Sequence, residues 1–227
     1  MNGRFFMSET LNFETTGGPA TAYIARPVEN TKKCVIVTQE YWGLNDHIKD
    51  IANRFADEGF IAVAPDLYRG VVAKDPAEAG KLMSELKMED GLDTIKNAMA
   101  VAREKYGISH FSIIGFCMGG TYALRSACEL EGISSAAAFY GDIPDEEILK
   151  KLRTPTIFVS ATNDKWINAE KVAMLEDAVE RFELPVKSVK YDADHAFFND
   201  TRSEVYNKTA AEDAWAMVIA AFNNVEA

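Results

Sequence analysis

Short apolar runs alternate along this chain with stretches whose apolar positions recur every three or four residues. Six runs have strand length: Cys34 to Gln39, Ile61 to Asp66, Phe111 to Phe116, Ala136 to Gly141, Thr156 to Ala161 and Val186 to Asp192. Most are apolar at nearly every position, as strands buried on both faces are. Between them the helical period predicts helices over Asp46 to Glu58 (with Asn45 as cap), Met88 to Tyr106, Met118 to Glu131, Ala169 to Phe182, and about Ser203 to Asn223. Arg69 to Lys87 is less regular and is expected to form a loop and short helix over one end of the sheet. Near the start, Thr10 to Thr15 and Ala20 to Pro27 flank Gly17-Gly18-Pro19, which predicts an antiparallel hairpin at a sheet edge. The alternation defines an α/β protein with a largely parallel sheet and helices on both faces. No repeat, low-complexity tract or linker composition interrupts it, so residues 1–227 read as a single domain. Residues 1–7 end on a second methionine and read as an N-terminal extension, disordered or non-native.

Composition narrows the function. The 227 residues carry 24 Lys and Arg against 35 Asp and Glu, a formal net charge of -11. That balance repels phosphate backbones and anionic lipid surfaces, so neither nucleic acid nor membrane is an expected partner. No apolar run approaches the length of a membrane span or a signal peptide, so a cytoplasmic location is expected. Three cysteines, Cys34, Cys117 and Cys128, have neither C-x-x-C nor zinc-ligand spacing, so no disulfide framework, metal site or cofactor is signalled.

One thiol stands apart. Cys117 follows the run Phe111 to Phe116 and lies within Gly115-Phe116-Cys117-Met118-Gly119, the strand–turn–helix pattern that exposes a nucleophile between close glycines. The helix beginning at Met118 directs its positive end at the sulfur and favours thiolate. Cys34, inside a strand, and Cys128, on a helix, read as structural. Of three histidines, His110 precedes its strand and so lies at the opposite edge of the sheet. His195 follows the last strand and is the first choice of base, with His47 as the alternative. Asp164, just past the strand Thr156 to Ala161, is the acid expected to orient the imidazole, and Asp142 is the runner-up. Glu40 stands among Gln39, Tyr41, Trp42 and Gly43 on the loop after the first parallel strand, where burial calls for a donor such as the Cys117 thiol. Backbone N–H groups of Tyr41 and Met118 are the candidate oxyanion hole. Tyr41, Trp42, Tyr140, Trp166, Phe197 and Phe198 are candidates for an apolar substrate pocket.

The stretches from Gln39 to Gly70, "GFCMGG", "AFYG", "ATNDKW" and "DADHAFFND", in that order, resemble the dienelactone hydrolase (carboxymethylenebutenolidase) family of the α/β-hydrolase fold. The resemblance implies a mostly parallel sheet of about eight strands and a triad of Cys117, Asp164 and His195. It also implies that Glu40 holds the resting thiol and accepts its proton when substrate displaces it. The family's substrate-carboxylate residues align with Pro76, Gly80 and Asn199, so the anion clamp is missing; Arg69 and Arg202 are the candidate substitutes. The expected activity is hydrolysis of a small lactone or activated ester through a thioester, by a monomer or homodimer without cofactor. A redox-active thiol protein and a non-catalytic binding protein are the alternatives.

Overall fold

The computed structural model describes residues 6–224. Residues 1–5 of the expected extension lie outside the described residues, whereas Phe6 and Met7 open the first strand. That strand, β1 (Phe6–Thr15), pairs antiparallel with β2 (Gly18–Pro27), Thr15 opposite Gly18, so only Thr16 and Gly17 connect them. Gly18 sits at φ +104, a conformation in which a side chain is strained. β1 begins four residues ahead of the expected Thr10 because its side chains are largely solvated, which weakens the hydrophobic signal there.

β3 (Cys34–Thr38) and β4 (Ile61–Pro65) are buried at every position and run parallel, Cys34 opposite Ile61, while β4 is antiparallel to β2. The helix between them, α1 (Asp46–Asp57), is capped by Asn45, whose Oδ1 accepts from the Ile48 N–H at 3.2 Å. It buries Ile48, Ile51, Ala52 and Phe55, the spacing of a single helical face. After β4 comes α2 (Pro76–Glu85), with Pro76 in its first turn and Asp75 accepting from the Ala77 and Glu78 N–H groups. Ala79 is its one buried residue, which is why the segment shows little apolar period. α3 (Met88–Tyr106) stops at Gly107, which adopts the left-handed conformation at φ +66.

The remaining elements are β5 (Phe111–Phe116), α4 (Met118–Glu129), β6 (Ile133–Phe139), α5 (Glu146–Leu149), β7 (Thr156–Ala161), α6 (Ala169–Phe182), β8 (Val186–Tyr191) and α7 (Lys208–Asn223). β6, β7 and β8 are mutually parallel. The strand order is β1-β2-β4-β3-β5-β6-β7-β8. By its contacts the chain divides into two compact units between Ser112 and Ile113. Most other ends fall within two residues of expectation, with three larger departures. β6 starts at Ile133 rather than Ala136, α5 is additional, and α7 starts five residues late, where Asn207 caps it by accepting from the Ala210 N–H. Among the described residues no helix is long and apolar enough to cross a membrane.

Candidate active site

Cys117 is the single residue between β5 and α4. Its backbone, at φ +54 and ψ -121, lies in a region that costs a residue with a Cβ on the order of 1–3 kcal/mol. The strain persists because both flanks are fixed: the Cys117 N–H donates to Phe139 O at 3.0 Å, and Cys117 O accepts from the Thr121 N–H at 3.2 Å. The side chain is half-buried at the positive end of α4, with Met118 as the first helical residue.

Close backbone approach makes this bend possible. A Cβ on Gly120 would stand 2.5 Å from Phe139 O, and one on Gly141 would collide with the Gly120 carbonyl carbon and the Thr121 nitrogen. Because the obstacles are backbone, no rotamer change relieves them. Gly141→Ala is therefore expected to destabilise the protein by about 3 kcal/mol, read as a lowered urea midpoint. The sequence motif pointed to Gly115 and Gly119; Gly120 and Gly141 are the pair whose necessity the structure adds. The doubled glycine in "CMGG" and the glycine ending "AFYG" were the signals available.

The loops after β7 and β8 meet. His195 Nδ1 lies 2.6 Å from Asp164 Oδ2, while Asp164 Oδ1 accepts from the Trp166 N–H at 2.8 Å and the Ile167 N–H at 3.0 Å. Burial alone would push the Asp164 carboxyl up. The hydrogen bonds from His195 and the two amides, with the attraction of the imidazole, outweigh it, and the pKa is lowered. A carboxylate at Nδ1 fixes the tautomer that leaves Nε2 as the acceptor. Nε2 is buried and has no hydrogen-bond partner among the described residues, so the Cys117 thiol is not bonded to it in this conformation. The rings of Tyr140 and Trp166 lie close to the imidazole, with centroids 5.0 Å and 4.8 Å from its own. Tyr140 at φ +39 and Ala196 at φ +66 join Cys117 as strained residues of this unit. Phe139, which anchors the Cys117 amide, precedes Tyr140, so the elbow and the imidazole meet the same dipeptide.

In the first unit, Glu40 and Gln39 are buried beyond the carboxyl end of β3, and Tyr41 and Trp42 are half-buried with ring centroids 4.6 Å apart. Glu40 O accepts from the Gly43 N–H at 3.1 Å, which closes the turn. His47 is buried on α1. Arg69 donates to Gly18 O, Pro19 O and Thr15 Oγ1, so its guanidinium serves the β1–β2 hairpin.

Other candidates of the second unit are placed as follows. Asp142 accepts from Lys171 Nζ at 2.6 Å and is exposed, and Asp164, not Asp142, meets the imidazole. Phe197 packs on Tyr140 and Tyr191, and Phe198 on Phe116, Phe139 and Trp215; both are fully interior aromatics. Trp166 is 68% exposed. Asn199 Oδ1 accepts from the Thr201 N–H and Oγ1, and Arg202 donates to Glu204 Oε1 at 2.9 Å.

A mostly parallel sheet with a strained strand-to-helix bend at Cys117 and an Asp–His pair after two later strands has the form of an α/β-hydrolase. The chain belongs to the dienelactone hydrolase family, whose sequence profile matches residues 20–226, and it is accordingly a hydrolase of the ester and lactone class. It is 33% identical to a protein named usf of Aquifex pyrophilus, over 95% of this chain and 98% of that one. It is also 33% identical to a provisionally named carboxymethylenebutenolidase of Aquifex aeolicus, over 94% and 96% of the two chains. A crystal structure from Klebsiella pneumoniae, provisionally described as a dienelactone hydrolase, superposes with a TM-score of 0.90 at 27% identity, covering 96% of this chain and 99% of that one.

Proposed function

We propose that the protein hydrolyses small lactones or activated carboxylic esters through a thioester on Cys117. The observation that carries this reading is the Asp164–His195 pair, whose unpartnered, buried Nε2 belongs to the same unit as a strained cysteine at a helix start. Cys117 Sγ attacks the carbonyl carbon as thiolate, a C–S bond forms, and the developing oxyanion is received by the Met118 amide at the start of α4. The C–O bond to the leaving group then breaks, giving a thioester and an alkoxide or enolate that takes a proton from solvent. His195 Nε2 takes a proton from water, the hydroxide oxygen attacks the thioester, the C–S bond breaks to release the acid and restore the thiolate, and the imidazolium returns its proton to solvent.

Sulfur leaves easily, so acylation proceeds only when the departing oxygen leaves at least as easily. Activated esters and enol lactones meet that condition; simple amides do not. The test is a stoichiometric burst of p-nitrophenol from p-nitrophenyl acetate, with mass spectrometry placing the acetyl group on Cys117. A protein that releases no burst and carries no adduct overturns the reading. A redox role finds less support, since Cys34 and Cys128 are both buried and poorly suited as resolving thiols. We place the enzyme in the cytosol, a reducing compartment in which the buried Cys34 and Cys128 stay as thiols.

A further inference from the structure

One hydrogen bond does not fix an imidazole. The contact of His195 Nδ1 with Asp164 Oδ2 holds one corner of the ring, and Nε2, at the far corner, can still swing about it. Packing against neighbouring rings limits that swing. Tyr140 is buried, with its ring centroid 5.0 Å from that of the imidazole. Trp166 stands 4.8 Å away with its ring at 78° to the imidazole plane, the edge-to-face arrangement that aromatic pairs favour. Trp166 also reaches both members of the pair. Its backbone N–H donates to Asp164 Oδ1 at 2.8 Å while its indole lies against His195, so one residue joins the acid to the base. The side chain is nevertheless 68% exposed, and among the described residues no other aromatic side chain is exposed. A tryptophan this solvated adds little to the core; what its ring does contact is the imidazole.

We infer that Trp166 is a positioning residue, whose indole holds His195 so that Nε2 meets the water that cleaves the thioester. The inference rests on the reading of Cys117 as the acyl carrier. On that route the thiolate attacks without taking help from the imidazole, whereas deacylation requires Nε2 to accept a proton from water. Loss of the indole therefore falls on the second step. A displacement of about 1 Å in a reacting group costs about a hundredfold in rate.

The experiment follows p-nitrophenyl acetate with wild type, Trp166→Ala and Trp166→Phe, in the burst and in the steady state. Trp166→Ala is expected to lower kcat by about tenfold to a hundredfold while kcat/KM, which reports acylation, stays within about twofold of wild type. Its burst should remain stoichiometric, and the acetyl group should persist longer on Cys117. Trp166→Phe, which restores a ring beside the imidazole, is expected to recover most of kcat. Because the side chain is mostly solvated, both variants should keep the wild-type urea midpoint. Wild-type kcat in Trp166→Ala overturns this inference and leaves the acyl-transfer reading standing. So does a fall in kcat/KM as large as the fall in kcat, which would make the indole a substrate contact. Wild type that gives no burst and no adduct overturns the two together.

Discussion

Replacing Cys117 with alanine is expected to lower kcat for an activated ester by about four orders of magnitude or more, measured as p-nitrophenol release at saturating substrate. The size follows from what is removed. On the proposed thioester route no covalent intermediate forms without sulfur, and neither His195 nor the helix start has a nucleophile to serve; what remains is binding and oxyanion stabilisation. Cys117→Ser keeps an oxygen at the elbow but not a group that the end of α4 readily ionises. It should fall between wild type and alanine. The effect is specific to this thiol because the other two are chemically quiet. Burial pushes the Cys34 thiol strongly up, and burial followed by the neighbouring Glu129 carboxylate pushes Cys128 up to about 12. A thiol reagent at neutral pH should therefore modify one site per chain in the folded wild type and none in Cys117→Ala. Turnover that survives the alanine substitution would sink the thioester mechanism.

Legibility in the sequence followed local determinants. α3 and α6 are read to the residue because their ends carry signals within one turn: Gly107 adopts a left-handed stop, and Asn168 caps by accepting from the Lys171 N–H. β5 and β7 are equally clear, as fully buried runs. α2 and α5 are not, because a helix with one buried residue has almost no hydrophobic period. The loop Ser203–Tyr206 mimics a helix in composition, and the real start at Lys208 is decided by the Asn207 side chain.

Within the site, residue type and chain order place Cys117 at its bend and Asp164 on the imidazole, but they do not separate core aromatics from exposed ones. Phe197 and Phe198 follow His195 closely, yet the turn at Ala196 sends both inward. Nor does local sequence reveal what Arg69 bonds, since its acceptors, Gly18, Pro19 and Thr15, lie about fifty residues earlier in the chain. The collision that excludes a side chain from Gly141 also joins segments distant in sequence. Contacts of this kind are set by tertiary packing, which a one-dimensional pattern does not carry.

Asp164→Asn is expected to lower kcat by about 10⁴-fold while leaving the site's shape intact. Asp164 uses both oxygens as acceptors, one for the His195 Nδ1–H and one shared by the Trp166 and Ile167 amides. An asparagine has a single acceptor oxygen. If that oxygen keeps the two amides, the carboxamide NH₂ faces Nδ1 and forces the imidazole into the tautomer with the proton on Nε2, where it cannot accept a proton from water. If it flips, two buried amide donors face an NH₂ group, which costs about 1–3 kcal/mol of stability. The pH dependence of stability separates this residue from a bystander. The Asp164 pKa is depressed in the folded protein, so its contribution is complete above the unfolded value of about 3.9 and is lost as pH falls through the lower folded value. The urea midpoint of wild type should therefore exceed that of Asp164→Asn at neutral pH, and the two should converge in acid below about pH 4. A gap that stays constant into acid would mean that the carboxylate's charge contributes nothing to the folded state, and wild-type kcat in the Asp164→Asn variant would remove Asp164 from the mechanism.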